Sequence, residues 1–524
     1  MTMTLLEELT AKLGVLPPEQ KQAVIADAMA VTANMRWVPN PGPQTDAYFC
    51  EADELFYGGS AGGGKSDLLI GLSLTQHHDS LILRRTAADA KDLAKRGRAI
   101  AGPGHGFNGT ERIIRQDGRQ VWFGGCPNED DKEKFKGRAK DFYGFDEIAD
   151  FTETQFRFIK NWNRSTLPGQ RCRVVCTGNP ATRPEGLWIN KYWAPWLDPR
   201  HPNPAKPGEL RWFIRGEDDR DQEVEGPGQY TVGGVVVRAR SRTFIQARLD
   251  DNPDLKKTDY GAALDSLPAE LRASYRDGNF QAALKDEPWQ LFPASWVLDA
   301  MQRWRPDGWK TFNMTALACD AAGGGADAAE IAFRHGDWFG PIETEKGPQT
   351  EDGNFMAGRI VAVRRHDCTV IVDCSGGYGG SYCLRLSDNR IVAIKYKGGN
   401  ASFAKTKDKA GLGFLNKRAE TYWRLREALD PSQEGGSSIA LPPDDELKAD
   451  LLATHYEVRG NIIRVEPKED IKKRIGRSPG KGDAVAMCHS EGDAAVRRSL
   501  FGGRGGPGLQ TQANVGYAHM KKRR

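Results

Sequence analysis

The sequence predicts an α/β protein of two domains, the first built on a largely parallel sheet. Three observations carry this expectation. A chain of 524 residues is longer than one ordinary hydrophobic core encloses. From Phe56 to about Pro180, short apolar runs (ELFYGG, SLILRR, VWFGG, DFYGFDE, CRVVCTGN) alternate with polar helical segments, the pattern of successive βα units. A second alternation begins at TALACD and continues through RIVAVRR, TVIVD and RIVAIKY.

Taken in order, residues 1–37 read as a helical segment, with LLEELTAKLG followed by a helix that Pro17 and Pro18 open. This start is acidic rather than a basic leader, and no apolar run reaches the roughly 18 residues that cross a bilayer, so an intracellular protein without membrane contact is expected. Residues 38–240 form the first core, with loops and a hairpin in the Pro-, Gly- and charge-rich stretch from Pro195 to Gly234. Residues 241–290, including SLPAELRASYRDGNF, read as a small helical lid. The second domain spans 291–495 and ends in helices at 416–430 and 483–490. Residues 496–524 are glycine-rich and close in KKRR, a composition that does not build a packed core. The chain carries 74 basic and 70 acidic residues, so overall charge does not select a partner. Nine cysteines form no CxxC pair and no Cys/His set at zinc spacing, and buried reduced thiols are expected.

The strongest motif is Gly59-Ser60-Ala61-Gly62-Gly63-Gly64-Lys65-Ser66, which fits GxxxxGK(S/T) between an apolar strand and the helical DLLIGLSL. Glycines allow backbone N–H groups to converge on phosphate oxygens, and a helix N-terminus adds positive potential. Lys65 then reaches the terminal phosphates and Ser66 a magnesium ion. A second acid must help hold that metal and a base must orient water. Asp146 and Glu147, at the end of DFYGFDE, are the candidates for these two tasks. Thr177 and Asn179 follow the apolar strand of CRVVCTGNP, where they either face the ligand crevice of the sheet or form a Gly-Asn-Pro turn.

In the second half, Asp320 ends TALACD and Asp373 ends TVIVD, while Asp483 opens a helix and Asp327 follows a glycine-rich loop. Aspartates that end neighbouring strands can gather at one sheet edge and hold two divalent ions, which stabilise the attacking and leaving oxygens of phosphodiester hydrolysis. Each one singly is also a common turn former or N-cap. Lys472, Lys473, Arg474, Arg477 and Lys481 form a basic run nearby, either a DNA contact or a solvated face.

Together these motifs resemble the large terminase subunit of tailed bacteriophages, over residues 38 to 490. PGPQTDAYF, LILRRT, FDE, CTGNP, SRTFIQARLDDNP and LPAELRASYRDGNF follow one another as that family's ATPase motifs do. NKRAETYWRLREAL and IRVEPKEDIKKRIGRSPGKGDAV resemble its nuclease region. The resemblance implies an N-terminal P-loop (ASCE-type) ATPase domain with a parallel-rich sheet and a C-terminal RNase H-like nuclease domain. It further implies ATP and Mg²⁺ at the first site and two Mg²⁺ or Mn²⁺ at the second. Gln44 would read adenine, and Thr177 and Asn179 would couple hydrolysis to movement. Asp320, Asp373 and Asp483 would be the nuclease ligands and Asp327 a fourth. Implied partners are double-stranded viral DNA, a small terminase subunit, the portal protein of the procapsid and further copies in a ring, in the host cytoplasm. Many members of the family place an arginine inside the phosphate loop, whereas Ser60 to Gly63 here are small and neutral. The charge-stabilising arginine must then lie elsewhere, in cis or on a neighbouring copy. Arg138 is the first candidate, followed by Arg84 and Arg85.

Overall fold

The computed structural model describes residues 35–501 except 111, 200, 218–219, 268, 282–285, 288, 409 and 434, together with residues 17, 19 and 20. The helices expected before residue 35 and the tail after residue 501 lie outside the described residues, those three positions aside.

The first half is organised by strands β1 (Glu54–Gly59), β2 (Asp79–Arg84), β3 (Gly106–Asn108), β4 (Ile113–Gln116), β5 (Arg119–Gly125), β6 (Phe142–Phe145), β7 (Arg173–Gly178), β8 (Arg211–Arg215), β9 (Asp221–Val224), β10 (Gln229–Val232), β11 (Val235–Arg238) and β12 (Arg240–Ala247). Ten of them form one sheet in the order β3-β4-β5-β2-β6-β7-β1-β12-β8-β9. From β5 to β12 every neighbouring pair is parallel. The antiparallel strands β3 and β4 extend one edge, and β8 and β9 the other. Strands β10 and β11 form a separate hairpin. Each central strand is covered on both faces, which is why its sequence is a continuous apolar run rather than an alternation. Leu55 and Tyr57 pack with Leu68, Leu72 and Leu93 on one face, and Phe56 packs with Tyr143, Phe156 and Trp193 on the other.

The second half contains β13 (Met314–Asp320), β14 (Ala329–His335), β15 (Trp338–Phe339), β16 (Glu343–Glu345), β17 (Thr369–Asp373) and β18 (Ala393–Tyr396). They form a sheet in the order β15-β14-β13-β17-β18, with β16 also on β14. Strands β13 and β14 are antiparallel, whereas β13, β17 and β18 run parallel. A small sheet of β19 (Gly413–Phe414), β20 (Tyr456–Arg459) and β21 (Ile462–Val465) stands beside them. One sequence expectation is overturned here. RIVAVRR is not a strand, because its apolar part closes the helix Gly353–Val363, which Asp352 caps by accepting from Asn354 N–H. A short apolar run does not distinguish a buried helix from a strand, and the N-cap lies outside the run. The last helix, Gly480–Phe501, also continues past the expected domain end at 495.

The two halves touch through the helix Lys468–Ile475, which ends in the left-handed Gly476 (φ 76°). A Cβ at Gly476 would lie 2.8 Å from Thr154 Oγ1 and 3.0 Å from Thr152 Cβ. Thr152 caps the helix Glu153–Lys160 of the first half. Gly476→Val therefore adds a steric overlap to a backbone conformation that β-branched residues disfavour, at a cost of about 1–3 kcal/mol. The expected result is a lower melting temperature in thermal unfolding, and an unchanged one would show that the contact yields without cost.

Candidate active sites

Gly59 to Ser66 form the loop between β1 and the helix Lys65–Thr75. Gly59 has φ 144°, and a Cβ there would stand 2.2 Å from Ala247 O, so no other residue fits. The loop is fastened from several directions. Ser60 N–H donates to Ala247 O at 2.9 Å and Ala61 N–H to Tyr275 O at 2.7 Å. Ser60 Oγ accepts from Leu249 N–H at 2.8 Å, Asn252 donates to Gly62 O at 2.7 Å, and Tyr57 donates to Gly63 O at 3.0 Å. Ser60 and Ala61 therefore spend their N–H groups on the last residue of β12 and on the helical segment Ala269–Tyr275. The phosphate cradle is left to the N–H groups that follow, at the mouth of the helix.

Lys65 Nζ donates to Ser60 O at 2.5 Å and to Asn179 Oδ1 at 2.8 Å. Ser66 Oγ donates to Asp146 Oδ2 at 2.9 Å, and Thr177 Oγ1 to Asp146 Oδ1 at 2.7 Å. Asn179 faces Glu147 with its N–H at 3.3 Å and its amide nitrogen at 3.4 Å from Oε2. The sheet explains this convergence: β7 lies between β1 and β6, so Thr177 and Asn179 fill the space between the loop and the acids. Asp146 is fully buried. Glu147 adopts the left-handed region at φ 54°, which turns its carboxyl away from the strand. Burial, then the adjacent Asp146, push the Glu147 carboxyl above its ordinary range against the pull of Lys65 and Arg84. Burial likewise lowers the Lys65 ammonium. Gln44 is buried against the loop, donating to Gly64 O at 2.8 Å and accepting from Asn40 N–H at 2.5 Å.

The arginines are distributed differently from the first expectation. Arg84, the last residue of β2, donates from Nε to Asp146 Oδ2 at 2.7 Å. Arg85 Nη1 donates to Gln155. Arg138 is exposed, with its guanidinium 5.7 Å from the Phe135 ring centre. It precedes β6, and the neighbouring Lys140 pairs with Asp79, the first residue of β2, at 2.6 Å. Arg138 therefore sits at the sheet edge where strands begin, opposite the phosphate loop, and does not reach the acids of its own chain. Arg84 does. On the ATPase reading proposed below, with Arg84 as the charge-stabilising arginine, Arg84→Ala is expected to lower ATP turnover by about 10³-fold, the lower end for loss of such an arginine, with nucleotide binding retained. A coupled ATPase assay beside a nucleotide titration checks both.

The second cluster forms where β13 and β17 end. The parallel register pairs Cys319 with Val372, which brings Asp320 and Asp373 to the same edge. Asp483, in the first turn of the helix Gly480–Phe501, closes the group. A cavity of about 500 Å³ is lined by Asp320, Asp373, Asp483 and Asp327, with Lys468 and Arg418. Among the described residues, no three acidic, histidine or cysteine side chains approach closely enough to enclose one ion. Instead Lys468 Nζ lies 2.8 Å from Asp320 Oδ2 and 3.1 Å from Asp483 Oδ2. Burial, then repulsion from Asp483 and Asp373, outweigh Lys468 and push the Asp320 carboxyl up to about 7. Burial acts on Asp483 too, but Lys468 and Arg418 prevail and hold it below its usual range. Tyr422 OH also donates to Asp483 Oδ1 at 2.6 Å. Asp327 stands apart in a two-pronged pair with Lys472, at 2.9 and 2.7 Å.

Lys468, Arg418 and Tyr422 were not singled out in the sequence, and no spacing marks them. Lys468 is the first residue after Pro467, an ordinary helix start. The basic run, by contrast, is spent on acids: Lys472 on Asp327, Lys473 on Asp470, Arg474 on Glu466, Arg477 on Asp450, and Lys481 on Asp444 and Glu446. Each of the five is paired with an acid, and Lys472 borders the cavity through Asp327.

No family model matches the chain, and no curated protein sequence matches it. Among solved structures, the nuclease domain of the large terminase subunit gp2 of bacterial virus Sf6 is 21% identical, with 38% of this chain and 97% of that one covered, at a TM-score of 0.33. The large terminase of a thermophilic bacteriophage, solved in complex with ADP, is 12% identical, covering 86% and 99%, at 0.33. The HK97 bacteriophage large terminase is 10% identical, covering 83% and 90%, at 0.31. The chain is similar to large terminases. Among its described residues, no helix is long and apolar enough to cross a membrane.

Proposed function

We propose that this chain is a viral DNA-packaging motor, in which ATP hydrolysis in the first half drives double-stranded DNA into a procapsid and the second half cuts concatemeric genome DNA. The observation that carries the reading is the presence, in one chain, of the Lys65–Asn179–Glu147 network and of the Asp320–Lys468–Asp483 cluster. In the first site Lys65 and the cradle N–H groups would hold the phosphates of ATP. Glu147 would take a proton from the attacking water, and its raised affinity for protons suits a base. Asn179 touches both the phosphate-binding ammonium and the base, so a change at one is felt at the other.

The donor sets fit the metals. Ser66 and Asp146 present hard oxygen donors 2.9 Å apart, suited to Mg²⁺. In the second site the Lys468 ammonium is a stand-in cation between Asp320 and Asp483, and Asp373 completes an oxygen-rich edge for two Mg²⁺ or Mn²⁺. Such ions stabilise charge on the attacking and leaving oxygens of a phosphodiester. Tyr422 and Arg418 orient Asp483 toward that edge.

The resemblance of the motifs, and not geometry, suggests the small terminase subunit, the portal and a ring of copies in the host cytoplasm. In such a ring Arg138, exposed at the far sheet edge, would be presented to a neighbour's site. The expected limits 38–240, 241–290 and 291–495 need one change, because β12 (Arg240–Ala247) pairs with β1 and so belongs to the first core rather than to a helical lid. The test is packaging of concatemeric DNA into purified proheads with ATP, followed by sequencing of the packaged ends. Protected DNA with protein-cut ends is the expected result. Strand separation on a forked duplex without packaging would replace this reading with a helicase-nuclease.

A further inference from the structure

The second cavity has a wall that the acid cluster does not explain. Gly398 and Gly399 line it, and the chain runs on from them as NASFAKTKD. This segment is extended and alternates. Ser402 and Ala404 are half-buried and Thr406 is buried, while Phe403, Lys405 and Lys407 point outward. Phe403 is 95% exposed. The segment is firmly anchored nonetheless. Arg418 N–H donates to Gly398 O at 2.9 Å and Lys417 N–H to Asn400 O at 2.8 Å. Ser402 Oγ donates to Glu420 Oε2 at 2.7 Å, and Arg424 to Lys405 O at 2.8 Å. Ala404 packs against the small core of Phe414, Ala419 and Ile463. The inward position thus carries a methyl group and the outward one a phenyl ring, the reverse of what burial of apolar surface favours.

We propose that Phe403 packs against a base of the DNA whose phosphate lies in the acid cavity, at a base step that the ring partly opens. The inference rests on the nuclease reading and adds to it a residue that touches the substrate's bases. Charge supports it, since Lys397 and Lys405 are exposed on the same segment and suit a polyanion, not an apolar protein surface, while Lys407 is exposed but paired with Glu427 at 3.8 Å. Distance supports it too. Four residues of extended chain separate Gly399 from Phe403, at most about 14 Å, or roughly four base-pair steps of 3.4 Å. An aromatic ring meets any base through its π-face, and an apolar wedge opens a step without reading sequence.

The experiment uses the full chain in an Asp373→Asn background, so that binding is read without cutting, with a short duplex carrying 2-aminopurine. Binding is expected to raise 2-aminopurine fluorescence. Phe403→Ala is expected to weaken binding by about 5- to 100-fold and to abolish the rise. Phe403→Trp should restore affinity and show its own emission quenched by DNA, which a merely structural role would not produce. Lys405→Ala should reduce the salt slope by about one while the fluorescence rise persists. Wild-type affinity and signal in Phe403→Ala, or restored binding without tryptophan quenching, would overturn the proposal. Plasmid cleavage by the unmodified chain reports on the nuclease reading separately: if cleavage fails, that reading falls, and tryptophan quenching still decides the base contact.

Discussion

Glu147→Gln is expected to lower ATP turnover by about 10²- to 10⁴-fold, the range contributed by a positioned general base, while nucleotide affinity stays within a few-fold of the parent. The substitution preserves the shape of the side chain and the contact with Asn179 but removes the proton acceptor. Lys65, Ser66 and Asp146, which would hold the nucleotide and its metal, keep their own hydrogen bonds. A steady-state ATPase assay and a nucleotide titration separate the two quantities, and turnover near that of the parent would move the water-activating role to another group. The left-handed backbone at Glu147 (φ 54°) adds a second readout. Glu147→Gly removes the steric cost of that conformation, so an inactive variant more stable by up to about 1 kcal/mol is expected.

Asp320→Asn is expected to reduce divalent-dependent plasmid cleavage by at least about 10³-fold, because a metal centre of this kind supplies several kcal/mol of transition-state stabilisation. Retained cleavage with Mg²⁺ or Mn²⁺ would remove Asp320 from the site. The partner experiment is Lys468→Ala. Without that ammonium, the buried Asp320 and Asp483 face one another with less compensation, and a loss of about 2–3 kcal/mol is expected in chelator. Added Mn²⁺ should recover the loss, since a divalent ion can occupy the place of the lost charge. A melting temperature that is lower in chelator and unresponsive to Mn²⁺ would show that Lys468 is only a structural partner.

Most of the parallel core was legible because β1, β2, β6 and β7 each carry a short apolar run closed by glycine or a polar residue. Asp146, Thr177, Asp320 and Asp373 are candidates because each stands at or just after the end of an apolar run, and Lys65 and Ser66 because their motif has a fixed order in the chain. Arg138 shows that nearness to Asp146 in sequence is not nearness in space: β6 between them carries the chain from where the strands begin to where they end, so within one chain the two lie at opposite ends of the sheet. Lys468 escaped because its partners, Asp320 on β13 and Asp483 on the last helix, are brought to it by tertiary packing that no local pattern encodes. The basic run from Lys472 to Lys481 reads differently in the fold. Its acidic partners, such as Asp450 and Glu446, lie on a separate helix, Asp445–Ala453, so the charge looked free only while its neighbours were out of view.

The placement of β7 between β1 and β6 has a metric consequence. Neighbouring strands stand about 4.8 Å apart, so the strand that ends in the glycine loop and the strand that ends in Asp146 are separated by about 9.6 Å. Were the two adjacent, the interval would be half that and would admit little more than a single oxygen layer. At twice the spacing, the interval holds β7 itself, and the polar residues that follow it stand between the loop and the acids. Asn179 is the residue that spans it.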